Sequence, residues 1–285
     1  MPRVSIVIPC WNAGKHLAGL LDSLRSQTFQ DFETILVDDG SSDPETLDAV
    51  AALPPDITVV RQENMGLPAA RNTGLRVARG EYVFPLDCDD RIEPAFLAKG
   101  VALLDARPDI DFMFTDMTLV GARSGTLERS FNRFDQLFLN QLPYALLMRR
   151  GAWQSVGGYD ETMRAGYEDW DFNLRLIQTG STGQRLAEPL FVYRVAEGGM
   201  LLAKSARRHG ELWAVIRAKH RQAYRVDALV GLSRSEGRGK ISPLIAGVLL
   251  GAATLLPNRI FGALYQTLLA RRARANSAAR QRADI

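Results

Sequence analysis

A short apolar run, Val4-Ser-Ile-Val-Ile8, opens the chain and stops at Pro9. Its length and β-branched content predict a buried strand, and it is too short for the apolar core of a signal peptide. Beyond the turn Asn12-Ala-Gly14, Leu17, Leu20, Leu21 and Leu24 recur at helical spacing. Phe32 to Val37 reads as a second strand that runs into the acidic turn Asp38-Asp-Gly-Ser-Ser-Asp43. Thr46 to Leu53 is a helix ended by Pro54-Pro55, Ile57 to Val60 a third strand, and Ala69 to Ala78 a helix stopped at Gly80. Glu81 to Phe84 then leads as a fourth strand into Leu86-Asp-Cys-Asp-Asp90. This alternation predicts βαβ units and a parallel sheet. Ligands bind at the carboxyl ends of such strands. Both acidic turns fall there and are expected to face one crevice.

The pattern loosens afterwards. A helix is expected near Pro94 to Leu104, a strand at Phe112 to Thr115, and irregular chain to Asn140. Leu142 to Met148 reads as a buried strand or short helix, and Gly157-Gly158 as a turn. Gly166-Tyr-Glu-Asp-Trp-Asp171 opens a helix with Phe172, Leu176 and Ile177 on its apolar face, and Leu190 to Tyr193 is the last strand. Ile241 to Leu256 carries no charge, and a second apolar stretch follows Pro257 from Ile260 to Ala270. Sixteen residues fall short of the ~20 that span a bilayer. Two consecutive membrane-interface helices fit better, with a buried hairpin as the alternative. The expected division is a domain over 1–235, with halves 1–110 and 111–235, and a helical tail over 236–285.

Composition narrows the class. With 46% apolar and 24% charged residues in 285, the chain is globular, not disordered, collagenous or disulfide-stapled. Its two cysteines, Cys10 and Cys88, lie in separate strand-like runs, and no zinc spacing occurs; a reduced, cytosolic setting fits. The net charge of +3 divides unevenly: Arg238 onward carries +7 and the rest −4. The basic character therefore lies in the tail, which argues against nucleic acid as partner. A basic tail beside apolar helices suits the anionic inner face of the cytoplasmic membrane, with the protein peripheral on it.

The chemistry concentrates in acidic turns. Asp87-Cys-Asp89, with Asp90 behind it, places carboxylates on a tight turn where they repel unless a cation intervenes. Hard oxygen ligands in that number suit Mg²⁺ or Mn²⁺ completed by phosphate and water. Asp38-Asp39 is either a simple turn or a carboxylate for a ribose hydroxyl or base N–H. Glu168 and Asp169 start a helix, where acids satisfy the dipole, and an Asp facing a substrate hydroxyl also serves as general base. His16, His209 and His220 are scattered on predicted helices and read as surface residues. Nucleophile elbows, dinucleotide fingerprints and P-loops are missing from the sequence.

Taken in order, the segments 4–12, Gln27-Thr-Phe29, Glu33 to Asp43, Asn64 to Gly74, Gly80 to Asp90 and Tyr167-Glu-Asp169 resemble family-2 glycosyltransferases of bacterial cell-surface polysaccharide type, over about residues 3–200. The resemblance implies an α/β GT-A fold, a mostly parallel central sheet flanked by helices with a helical C-terminal appendage. It implies that Pro9, Asn12, Asp39, Arg71 and Asp87 serve the nucleotide, and that Asp87 and Asp89 serve the metal, Asp89 directly. Asp169 matches the general base of inverting members, with Trp170 and Glu168 at the acceptor. The implied partners are a nucleotide-diphosphate sugar, UDP-type favoured, and a glycan or lipid-linked acceptor. One departure stands out: after Tyr193-Arg194, Ala196 occupies the place of a histidine that helps bind metal or diphosphate in many members. Cys88 replaces a usual alanine, a swap expected to be neutral. Two rivals remain, a nucleotidyltransferase, whose Gly-rich N-terminal signature is lacking, and a non-catalytic membrane-associated nucleotide-sugar-binding protein, disfavoured by the intact Asp39, Asp89 and Asp169.

Overall fold

All seven residues of strand β1 (Val4–Cys10) are buried because it has a parallel neighbour on each side. These are β2 (Phe32–Asp39) and β4 (Tyr82–Pro85), with β3 (Ile57–Gln62) parallel outside β2. Helices α1 (Gly14–Arg25), α2 (Pro44–Ala51) and α3 (Leu67–Val77) make the connections. Asp43 caps α2 by accepting from the Thr46 N–H at 2.9 Å, with Pro44 in the first turn. The order β3-β2-β1-β4 reverses direction between β1 and β4, which is where a ligand crevice opens in an α/β sheet.

The computed structural model describes residues 1–196, 208–237 and 239–268. They form two units, one of residues 1–164 and 168–196, the other of residues 165–167 and those from 197 on. In the first unit the sheet continues through β8 (Leu147–Arg149), β6 (Phe112–Gly121), β9 (Gly183–Val195) and β5 (Arg91–Ile92), with β7 (Gly125–Leu127) paired on β6. The long β6–β9 pairing is parallel; the short pairings of β8, β5 and β7 are antiparallel. Strands β6 and β9 run well beyond the stretches expected from sequence. In β9 the added residues are mostly half-buried and include Gln184, Arg185 and Glu188, which hide the strand signal, and in β6 Asp116 interrupts the apolar run. Of Leu142 to Met148 only the end is strand.

Alternation along β1 sets the two layers. Val4, Ile6, Ile8 and Cys10 join α1 and α4 (Phe96–Ala106) in one cluster, while Val7 joins Ile35, Val37 and the residues of α3 and α7 (Glu168–Gln178) in the other. Helix α3 lies close on the sheet because Gly74 has no side chain; a Cβ there would meet Val7 Cγ1 at 2.3 Å.

The second unit contains α8 (His209–Lys219), α9 (Val226–Glu236), α10 (Pro243–Leu255) and a helix over 258–268, here α11. Its core is aromatic: Trp213 stacks on Phe261 at 5.4 Å and His209 on Tyr265 at 3.9 Å. Gly210 allows the close approach, since a Cβ would meet the Asn258 carbonyl oxygen at 1.9 Å. Two expectations change here. His209 and His220 are buried, not surface residues; the His209 ring stacks within this aromatic core. Residues of α8 and α9, read above with the first domain, group with α10 instead; the unit boundary falls at Ala196. Among the described residues no helix is long and apolar enough to cross a membrane. The basic run Arg271 to Arg282, like Arg238, lies outside the described residues.

Candidate active site

Three loops meet at the carboxyl ends of β1, β2 and β4. Asn12 adopts φ 49°, and its Oδ1 accepts from the N–H groups of Ser42 and Asp43 at 2.8 and 3.2 Å, zipping the β1 loop to the β2 loop. Asp39 ends β2 and is 3% exposed. Its carboxylate accepts from Gln62 Nε2 at 2.7 Å and from the Met65 and Gly66 N–H groups at 2.9 Å each. It thus shapes the segment that enters α3. Pro9 accepts from Cys88 Sγ at 2.9 Å through its carbonyl, so the thiol expected to be neutral ties the acidic turn to β1.

Arg71, on α3, is the hub. Its guanidinium is 1% exposed. Nη2 donates to both oxygens of Asp87 at 2.8 and 2.9 Å, and Nη1 to Glu168 Oε1 at 3.0 Å. The ring of Tyr144 lies 4.6 Å from its centre, a cation–π contact that completes its desolvation. Burial by itself would lower the pKa of Arg71, but the facing carboxylates hold it well above the usual value. Burial raises Asp87 against the pull of Arg71, and pushes Glu168 up to about 7 with help from Asp169 next to it.

The acidic turn divides its labour. Asp87 is committed to Arg71. Asp90 is 1% exposed; it accepts from Tyr144 Oη at 2.5 Å and from the Arg194 N–H at 2.7 Å, and burial followed by the charge of Asp87 raises it well above the carboxylate range. Tyr144 Oη also accepts from the Asp87 N–H at 3.0 Å, so one hydroxyl holds both ends of the turn. Asp89 is left: its side chain is 33% exposed, and among the described residues its ion-pair partner is Arg194, through Nη1 at 3.5 Å. Among the described residues no group of three or more His, Cys, Asp or Glu is arranged to hold a metal. One open carboxylate on a fixed turn is nevertheless the donor set that Mg²⁺ or Mn²⁺ uses when phosphate oxygens complete its shell.

Asp169 stands at the start of α7, after Tyr167 at φ 65°. Asn140 Nδ2 donates to its Oδ2 at 2.9 Å, and the Trp170 N–H to its Oδ1 at 2.7 Å. It is close enough to Asp87 and Glu168 to raise both. Trp170 itself is 2% exposed and donates from Nε1 to the Gln136 carbonyl at 2.7 Å. Its ring supports the 136–140 segment from below instead of offering a face to an acceptor. Glu168 likewise faces Arg71 inside the protein. Asp171, two residues on, is fully buried against Arg175 at 2.8 Å.

The glycosyl transferase family 2 model matches residues 5–168, more than half of the chain, with Asp39, Arg71, Asp87, Asp89 and Glu168 inside the match. The chain belongs to glycosyl transferase family 2. It is 30% identical over 200 residues to an uncharacterized glycosyltransferase of Haemophilus influenzae, covering 66% of each chain. It is 32% identical over 182 residues to a PGL/p-HBAD biosynthesis glycosyltransferase of Mycobacterium bovis, covering 61% of this chain and 69% of that one. A match to an uncharacterized protein of Sinorhizobium fredii, 30% identical over 72% of this chain, spans only 24% of that longer relative. S. aureus TarS 1–349 in complex with UDP-GlcNAc superposes with TM-score 0.64 at 22% identity, over 84% of this chain and 74% of that one. Mannosyltransferase PcManGT from Pyrobaculum calidifontis, in complex with GDP-Man and Mn²⁺, does so with TM-score 0.55 at 21% identity, over 98% and 80%. The fold of this family-2 chain is GT-A, as the order of motifs implied.

Sequence reasoning missed Tyr144 and Asn140. Neither lies in a motif, because both come from the irregular stretch before β8. The only signal was polarity, in an Asn and a Tyr set among the buried residues Phe138, Leu142 and Leu146.

Proposed function

We infer that the chain is an inverting glycosyltransferase that moves a sugar from a nucleotide-diphosphate donor to an acceptor hydroxyl with a divalent cation, Mg²⁺ or Mn²⁺. The observation that carries this reading is the placement of Asp169. It is a carboxylate fixed by Asn140 and joined through its neighbour Glu168 and Arg71 to the Asp87–Asp90 turn. Donor-side and acceptor-side carboxylates are thereby held in register by one buried guanidinium.

Asp89 would hold the cation, which when bound neutralises charge on the departing diphosphate. Asp169 takes the proton of the acceptor hydroxyl as its oxygen bonds to the anomeric carbon and the nucleoside diphosphate leaves. One displacement from the opposite face inverts that carbon. Asp39 and Asn12 sit on the loops expected at the nucleoside, and Arg194, beside Asp89, supplies positive charge where the histidine position carries Ala196. Two structural neighbours, S. aureus TarS and PcManGT, are in complex with UDP-GlcNAc and GDP-Man, in keeping with a nucleotide-sugar donor, here UDP-type.

The acceptor reading is a lipid-linked glycan reached from the cytoplasmic membrane surface. In α10 and α11, Leu244, Val248, Leu255, Ile260, Leu264 and Leu268 are each at least half exposed, an apolar face that suits a membrane interface beside the basic tail. The test is a panel of nucleotide sugars with Mg²⁺ or Mn²⁺, scored by nucleoside diphosphate release. Asp169→Asn should lower kcat by about 10²–10⁴-fold with donor affinity nearly unchanged. A normal kcat in that variant would remove Asp169 as the base.

A further inference from the structure

The segment between β7 and α5 (Arg133–Gln136) carries a cation, Arg129, that makes no ion pair among the described residues. The Arg129 N–H donates to Asp116 Oδ1 at 2.8 Å. Phe131, two residues on, meets Phe112 and Phe114 edge-on at 6.1 and 6.4 Å, and the Asn132 N–H donates to Gln141 Oε1 at 2.9 Å. The chain is pinned on both sides of Arg129, so its guanidinium is not a loose surface group.

Asp116 makes no hydrogen bond to that guanidinium. Its two oxygens are held by Arg185, through Nε at 2.8 Å and Nη2 at 2.6 Å. Among the described residues Arg129 makes no ion pair, and its buried Nε has no hydrogen-bond partner; the buried hydroxyl of Ser130 beside it has none either. Two adjacent donors shut from solvent and unsatisfied are costly and uncommon in a folded protein, and a bound ligand group is one of the standard reasons for them. Burial draws Arg129 down to about 10, so it stays cationic at neutral pH. Hydrogen bonds tie this segment to Asp169: Gln141, which accepts from the Asn132 N–H, donates its own N–H to Gln136 Oε1, Gln136 Nε2 donates to Asn140 Oδ1, and Asn140 Nδ2 donates to Asp169, which places Arg129 on the acceptor side of the proposed site.

A planar guanidinium fork is matched to an oxyanion with several acceptor oxygens, and the next residue in the chain brings a second unsatisfied donor. The donor diphosphate belongs at Asp89 and Arg194. We propose that Arg129 and Ser130 form a recess that binds a phosphate ester of the acceptor and so sets its hydroxyl beside Asp169. This deepens the glycosyl-transfer reading above and rests on it.

The full chain, with UDP and Mn²⁺ present, is titrated with glycerol 3-phosphate in solution and with dodecyl phosphate in phosphatidylcholine vesicles; glycerol is the neutral control. A phosphate probe should bind and glycerol should not. Arg129→Gln should weaken that binding by roughly 10- to 100-fold, the range for one lost hydrogen-bonded charge, with UDP affinity unchanged. Ser130→Ala should weaken it less, and Arg129→Lys should fall between Arg129→Gln and the wild type; these two variants carry the test should Arg129→Gln fail to fold. Arg129-dependent binding of the soluble probe assigns a soluble phosphate ester, and of the vesicle probe alone a lipid phosphate; both support the recess. Binding that is equal in the variants, or absent from a wild type that still binds UDP, overturns it. A wild type that binds no nucleoside diphosphate would overturn the nucleotide-sugar reading instead.

Discussion

Replacing Arg71 by Gln tests whether the site is organised around one buried guanidinium. The substitution removes three hydrogen bonds of 2.8–3.0 Å and leaves Asp87 and Glu168 facing each other without a cation between them. Breaking a buried ion pair from one side costs about 3–5 kcal/mol, because the remaining charge is stranded. In a domain of 150–250 residues, each kcal/mol moves Tm by about 2–4 °C, so a drop of about 6–20 °C is expected in thermal melting. The loss should depend on pH. Glu168 ionises in the folded protein at about 7, above its ordinary value, and Asp87 is raised as well. A raised acid adds stability that is complete below its unfolded pKa and disappears as pH climbs through the folded one. Stability of the wild type from Glu168 therefore falls between about pH 4.5 and 7, and Asp87 contributes in the same direction. Removing Arg71 raises both carboxyls further. The gap between variant and wild type should narrow towards pH 4.5, where Glu168 is protonated, and widen to its full size by pH 8. A variant that melts within 2 °C of wild type, at every pH, would refute the buried triad and make Arg71 a free ligand group.

Two further outcomes follow from the geometry. Asp89→Ala should abolish the Mn²⁺-dependent part of nucleoside diphosphate binding measured by calorimetry while leaving Tm near wild type, since Asp89 is the open carboxylate of the turn; unchanged Mn²⁺ dependence would move the cation elsewhere. Leu244→Asp combined with Val248→Asp and Leu264→Asp should release the full chain from anionic vesicles in flotation at low salt with little change in melting, whereas persistent flotation would exclude this face. Point substitutions are the right probe there, because deleting the chain from Ile241 would strip Phe261 and Tyr265 from Trp213 and His209 and expose the aromatic core of the second unit.

The βαβ half was legible because each local signal agrees with the fold. Buried strands such as Val4–Cys10 are apolar but for Ser5, turns between them are acidic or glycine-rich, and α1 and α3 show helical spacing. The carboxyl-end rule then placed Asp39 and Asp87 at one end of the sheet before any coordinate. The order of motifs supplied the family, and named Asp89, Arg71 and Asp169 as candidate site residues.

Tertiary structure decided which of those acids is open and which is held. Asp87, Asp89 and Asp90 look alike in a row, yet one faces Arg71, one faces outward, and one is locked by Tyr144 and the Arg194 N–H. That division comes from residues 54 and 104 positions away, and no local pattern encodes such pairings. The same holds for the histidines. His209 follows a polar stretch and reads as exposed, but the ring of Tyr265, far along the chain, covers it. Hydrophobic periodicity reports which face of an element is buried; which partner buries it, and which charge is thereby paired or left over, as at Arg129, is settled only when distant segments meet.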